Sequence, residues 1–68
     1  MGLSNTAPPK ILKYFKYSHL PERLQTVSKP FSDLACLMVA DLPDNEEREI
    51  ALRKLLEAKD CAVRAMLG

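Results

Sequence analysis

The chain contains no tryptophan, one histidine (His19), two cysteines (Cys36 and Cys61) and two glycines, which stand next to its ends as Gly2 and Gly68. Each scarcity excludes something. Without internal glycine there is no loop through which backbone amides can approach a phosphate closely, so the glycine-rich nucleotide fingerprints are excluded. One histidine and no CxxC pair leave no recognisable zinc site. Two cysteines are too few for a disulfide framework, and both fall in apolar helical patterns, so they read as reduced, small core residues. No apolar run approaches the ~20 residues that a membrane span needs. Residues 1–9 are small and polar, end in Pro8-Pro9 and lack the apolar stretch of a signal peptide. They read as a flexible lead-in to a soluble, cytoplasmic protein. Met1-Gly2 followed by Thr6 fits the loose myristoylation pattern, which is common by chance.

Catalytic groups are also scarce. A nucleophile–base pair would need His19 with Ser18 or a cysteine. Ser18 and His19 are sequence neighbours whose side chains diverge, and the cysteines read as core. The adjacent Glu46 and Glu47 are explained by helix-start electrostatics. The expectation is a protein that is not an enzyme and holds no metal or cofactor.

The 68 residues allow one domain, residues 10–68 after the lead-in. Single cores below roughly 70–80 residues seldom supply more than about 3–5 kcal/mol, and natural chains of this size add a staple. With disulfides and metal set aside, oligomerisation is the remaining route. Net charge is +1 and unevenly spread. Residues 1–32 carry Lys10, Lys13, Lys16, Arg23 and Lys29 against Glu22 alone, whereas residues 33–68 carry five bases against eight acids. Such asymmetry suits a basic N-terminal surface for anions, or self-association between unlike ends. The total is too small for a non-specific binder of duplex DNA.

Hydrophobic periodicity predicts an all-α fold: a short N-terminal helix, then an antiparallel two-helix hairpin. In residues 10–17, Ile11, Leu12 and Phe15 share one face, while Tyr14 and Tyr17 share a neighbouring one with Lys10 and Lys13. Two turns are not stable alone in water, so this helix must dock through Ile11, Leu12 and Phe15. Pro21 suits the first position of the next helix, with His19 or Leu20 as its cap residue. Leu24, Val27, Phe31, Leu34, Ala35, Leu37, Met38 and Leu42 then form one apolar stripe. Pro30 interrupts the stripe without shifting its phase, which favours one kinked helix; two helices with Ser28 as a cap are the alternative. Residues 41–45 form a loop. Asp44 with Glu47 reads as a capping box for a final helix over residues 45–67. On that helix Glu49–Arg53, Arg53–Glu57 and Asp60–Arg64 are spaced as ion pairs. Its opposite side has two apolar rows, one of Ala51, Leu55, Ala58, Ala62 and Ala65, the other of Leu52, Leu56, Val63 and Met66. Two rows ask for two partners: the preceding helix and either another copy of the chain or the short N-terminal helix.

The stretch from Ile11 to His19 holds three of the four aromatics and the only histidine, interleaved with lysines. Tyr17 and Tyr14 offer rings for base stacking, worth about 1–3 kcal/mol per base. Lys13, Lys16, Arg23 and Lys29 offer charge for phosphates, and His19 a donor or acceptor beside them. The plainer reading is that the aromatics anchor a docking helix and the lysines solvate it.

The layout combines Phe15-Lys16-Tyr17-Ser18-His19, then Leu20-Pro21-Glu22-Arg23, a helix through Asp33-Leu34-Ala35, a loop at Leu42-Pro43-Asp44-Asn45-Glu46, and a last helix through Ala51-Leu52-Arg53-Lys54-Leu55-Leu56-Glu57-Ala58-Lys59. It resembles the small phage proteins that inhibit CBASS immunity by sequestering cyclic nucleotides, the anti-CBASS sponges. The resemblance covers about residues 10–67. It implies a helical homo-oligomer, a hexamer, in the host cell cytoplasm, with a cyclic dinucleotide bound between protomers. It also implies Tyr17 stacked on a base, Lys29 on a phosphate, and a second site for cyclic trinucleotides. Pro30 directly after Lys29, and Ser18 between Tyr17 and His19, depart from the family pattern. The expected function is non-enzymatic sequestration of a cyclic oligonucleotide immune signal. The alternative is a small helical protein–protein interaction module of a phage with no nucleotide ligand. A nucleic-acid-binding accessory protein is a third reading.

Overall fold

The computed structural model describes residues 9–68 of the chain. The lead-in and the Met1-Gly2 pattern thus lie, apart from Pro9, outside the described residues. The described residues are helical: a short 3-10 helix (Lys10–Phe15), helix α1 (Glu22–Asp41) and helix α2 (Glu46–Leu67). Helices α1 and α2 pack against each other as a hairpin, and the 3-10 helix touches both.

The first element is tighter and shorter than periodicity suggested. It winds as a 3-10 helix and ends at Phe15, where Lys16 turns extended. Tyr17 therefore stands outside it. The docking face is as expected. Phe15 is buried with Ala35 and Leu52, and Ile11 and Leu12 pack on that cluster with Phe31, Met38, Val39, Leu55 and Leu56. Six residues cannot hold a helix in water alone, so these contacts are what maintains it.

Helix α1 starts one residue later than predicted. Pro21 is extended (φ −55°, ψ 150°) and occupies the cap position, leaving Glu22 as the first helical residue. Pro21 still serves the start, because its carbonyl accepts from Leu24 and Gln25 at 2.9 and 3.0 Å. The chain before it is tied down by Gln25, whose amide donates to the carbonyls of Leu20 at 2.8 Å and Ser18 at 3.3 Å. One helix runs through Pro30. Proline has no N–H for the Thr26 carbonyl to accept, and both residues are exposed.

The apolar stripe of α1 divides. Leu24 and Ala35 are buried and Phe31 and Met38 partly so, whereas Leu34 and Leu37 face solvent. Cys36 and Cys61 are exposed, not core. At position 36 the reason is angular: Ala35, one residue earlier, takes the centre of the buried face, and a 100° step carries Cys36 off it.

Helix α2 is capped by Asn45 and not by the Asp44–Glu47 box. Asn45 is extended (φ −146°, ψ 178°) and its side chain accepts from the Arg48 N–H at 2.9 Å. Asp44 pairs instead with the Arg48 guanidinium at 3.1 Å. The anticipated ion pairs along α2 do not form: among the described residues the close pairs are Lys29–Asp33, Arg48–Asp44 and Lys59–Asp60. Exposed i,i+4 pairs gain too little to overcome side-chain entropy reliably. Leu52 and Leu56 of one apolar row and Leu55 of the other join the cluster around Phe15 and Ala35. Ala58 and Ala65 in the other are exposed.

Candidate functional site

The segment after the 3-10 helix leaves the hairpin's core and crosses toward the C-terminal half of α2. Lys13, Tyr14, Lys16, His19 and Leu20 there face Lys59, Asp60, Val63 and Arg64 across a groove of about 320 Å³. Four of the seven residues singled out from sequence are thus gathered in one place. Local winding explains why. The tight turn of the 3-10 helix points Phe15 into the core, which leaves Lys13 and Tyr14 on the outer side. The extended Lys16 and the turn at residues 18–19 then bring His19 round to the same side.

Tyr14 is the groove's aromatic. Its ring is 56 % exposed, with the Lys13 ammonium 5.1 Å from its centroid. That cation–π contact holds the lysine over the ring at an exposed site, worth about 0.5–1 kcal/mol. The groove's far wall was not foreseen. Lys59 forms an ion pair with Asp60 at 3.0 Å, and its side chain is only 12 % exposed. The Arg64 guanidinium lies 3.3 Å from the Cys61 sulfur. One sequence signal would have found Lys59. It sits three residues after Leu56 and four before Val63, in the middle of an apolar row, where a lysine must either reach out past the row or bind something. The groove so assembled has four cationic side chains, an imidazole, a ring and one carboxylate already paired with a lysine. Groups of these kinds can pair with phosphate oxygens and stack on a flat ring.

The other three residues lie elsewhere. Tyr17 is half-buried and lines no part of the groove. Lys29 is on the exposed surface of α1 and donates to Asp33 at 2.8 Å. That hydrogen bond first, then the Asp33 charge and then Tyr17, raise the Lys29 pKa above its ordinary 10.5, against a small opposing effect of burial. The lysine is thus engaged by its own helix. Arg23 is exposed in the first turn of α1 and does not line the groove.

A second hollow, of about 370 Å³, lies at the loop end between Lys10, Ile11 and the start of α2. It mixes Lys10 and Arg48 with Asp44 and Glu49, so it has no consistent sign, and Arg48 is committed to structural hydrogen bonds there. Among the described residues no cluster of three His, Cys, Asp or Glu side chains is placed to hold a metal ion, and no helix is long and apolar enough to cross a membrane. Comparison with protein-family models, curated proteins and solved structures finds no match for this chain.

Proposed function

We propose that the chain binds a cyclic dinucleotide without turning it over, and acts by sequestering that signal from a host effector. One observation carries this reading: Lys13, Tyr14, Lys16 and His19 meet Lys59 and Arg64 around a single groove. A cyclic dinucleotide presents two flat bases and two phosphodiesters. Tyr14 would take a base, and Lys16, Lys59 and Arg64 would take phosphate oxygens. At about 320 Å³ the groove lies at the small end of ligand sites, which run from about 300 to 1,000 Å³. It therefore suits part of such a ligand, and a homo-oligomer, with a hexamer as the expected number, would supply the rest from a neighbouring protomer. Tyr17 and Lys29 form the other half of the proposed contact set. For Lys29 to reach a phosphate it must leave Asp33.

The deciding experiment is titration calorimetry of the wild-type protein with a panel of cyclic di- and trinucleotides. Heat of binding is expected from a dinucleotide, and Tyr14→Ala and Arg64→Ala should each weaken it about tenfold or more. A wild type that gives no heat with any member of the panel overturns the reading. The alternative, an interaction module with no nucleotide ligand, is favoured by exposed Leu34 and Leu37 on α1. It predicts that Tyr14→Ala and Arg64→Ala leave function unchanged.

A further inference from the structure

Helix α1 carries a row that neither α2 nor the 3-10 helix covers. Arg23, Val27, Pro30, Leu34, Leu37 and Asp41 follow one another at steps of four and three, so they lie along one line of the helix. Val27 is half-buried and the other five are exposed, Leu34 to 44 % and Leu37 to 55 %. The side chain that ties α1 to the preceding segment lies elsewhere around it: Gln25 donates to the Ser18 and Leu20 carbonyls. The row is apolar in its middle, with a cation at its N-terminal end and a carboxylate at its C-terminal end. Neither Arg23 nor Asp41 has an ion-pair partner among the described residues.

We propose that this row is a two-fold interface, on which α1 of a second copy of this chain packs antiparallel. The sequence numbers carry the argument. Arg23 and Asp41 are eighteen residues apart, five full turns, so they face the same direction at points about 27 Å apart. Antiparallel pairing centred on Ser32 sets Arg23 level with Asp41 of the second copy, Val27 with Leu37, and Pro30 with Leu34. Each of these contacts then occurs twice, as a two-fold axis requires. Parallel stacking would instead set Arg23 on Arg23 and Asp41 on Asp41. The row ends in opposite charges, neither of them paired within the protomer, and the same row run in the reverse direction complements both, which is the reason for assigning it to a second copy. The thin interior gives the contact something to do. Among the described residues only Phe15, Leu24, Ala35 and Leu52 are buried apolar side chains, so burial of Leu34 and Leu37 adds stabilisation that the isolated hairpin lacks. Arg23, expected from sequence to contact ligand, becomes an interface residue. The inference does not depend on nucleotide binding.

Sedimentation equilibrium tests it. The wild type is expected at an even multiple of the protomer mass. Leu37→Glu is expected to lower that mass while helicity by circular dichroism is unchanged, since the side chain is half-exposed within the protomer. Arg23→Asp and Asp41→Arg, each alone, set like charges against each other at both ends and should dissociate the pair. A one-to-one mixture of these two variants should recover the wild-type mass, because each unlike encounter is then restored, and the double variant in one chain should recover it too. A monomeric or odd-numbered wild type overturns the proposal. So does retention of the wild-type mass by both single charge variants, or failure of the mixture and the double variant to recover it.

Discussion

The guanidinium of Arg48, from the first turn of α2, donates to the main-chain carbonyl of Val39, in the last turn of α1, at 3.3 Å. The final carbonyls of a helix have no partner within it. The Leu42 N–H caps Met38 at 2.9 Å, and Arg48 supplies the donor for Val39 from across the hairpin. It also reaches the Leu42 carbonyl at 3.4 Å and the Asp44 carboxylate at 3.1 Å, with its side chain only 11 % exposed. One arginine therefore holds both sides of the loop. Arg48→Ala is expected to lower the unfolding free energy by about 1–3 kcal/mol, the cost of leaving shielded carbonyls without donors. Arg48→Lys should recover less than half of that, because an ammonium cannot span the three acceptors as the planar fork does. Urea denaturation of the three proteins checks the order.

Ser28 is fully buried in α1, and its hydroxyl has no hydrogen-bond partner among the described residues. Its neighbours on the buried face are Leu24 and Ala35. Ser28→Ala should raise stability by about 1 kcal/mol, since it removes an unsatisfied polar atom and substitutes the better helix former. The change is checked by thermal unfolding, where a lower midpoint would show that the hydroxyl is satisfied.

Helix α2 is capped by Asn45, whose side chain accepts from the Arg48 N–H at 2.9 Å. Asn45→Ala is expected to destabilise by about 1 kcal/mol. Glu47→Ala should have a smaller effect, confined to the charge–dipole contribution of about 0.3–1 kcal/mol, because no capping box is present. Comparing the two single variants by denaturant unfolding separates the capping modes.

The Lys29 ammonium is held above its ordinary pKa chiefly by its hydrogen bond to Asp33. A raised lysine pKa means that the folded state binds this proton more tightly. The stabilisation is present below about pH 10.5, the unfolded value, and is lost as pH rises through the higher folded value. Asp33→Asn should bring the Lys29 pKa down toward normal, as read by nuclear magnetic resonance titration of the lysine side chain above pH 9. In the sequestration reading the same variant frees Lys29 for phosphate, so it should tighten cyclic dinucleotide binding.

Much of the architecture was legible in the one-dimensional pattern. The apolar spacing after Glu22 and after Asn45 specified two helices, the cluster at residues 41–45 specified the loop between them, and Ile11, Leu12 and Phe15 specified the docking face of the first element. These features rest on local rules: periodicity, proline and cap chemistry, and the inability of two turns to stand alone. The 3-10 winding was not legible, because six residues show too few turns to distinguish three residues per turn from 3.6. The cap was misread. Asp44 with Glu47 has the spacing of a capping box, but the extended backbone at Asn45 puts that residue in the cap position.

The site divides along the same line. That the segment from Lys13 to His19 is basic and aromatic is a property of composition and spacing alone. Which of its side chains act together is not, since Tyr14 and Tyr17 look equivalent by periodicity until the chain turns extended at Lys16. Packing then sends Tyr14 toward Lys59 and Arg64 on α2, more than forty residues away in sequence, and leaves Tyr17 out of that groove. The exposure of Leu34 and Leu37 was decided in the same way. An apolar stripe on a helix is wider than one neighbour can cover, and only the placement of the 3-10 helix on one side of the hairpin settles which edge of that stripe stays open. Short-range chemistry determined the elements and the loop; the long-range docking of six residues, Lys10–Phe15, decided which side chains share a surface.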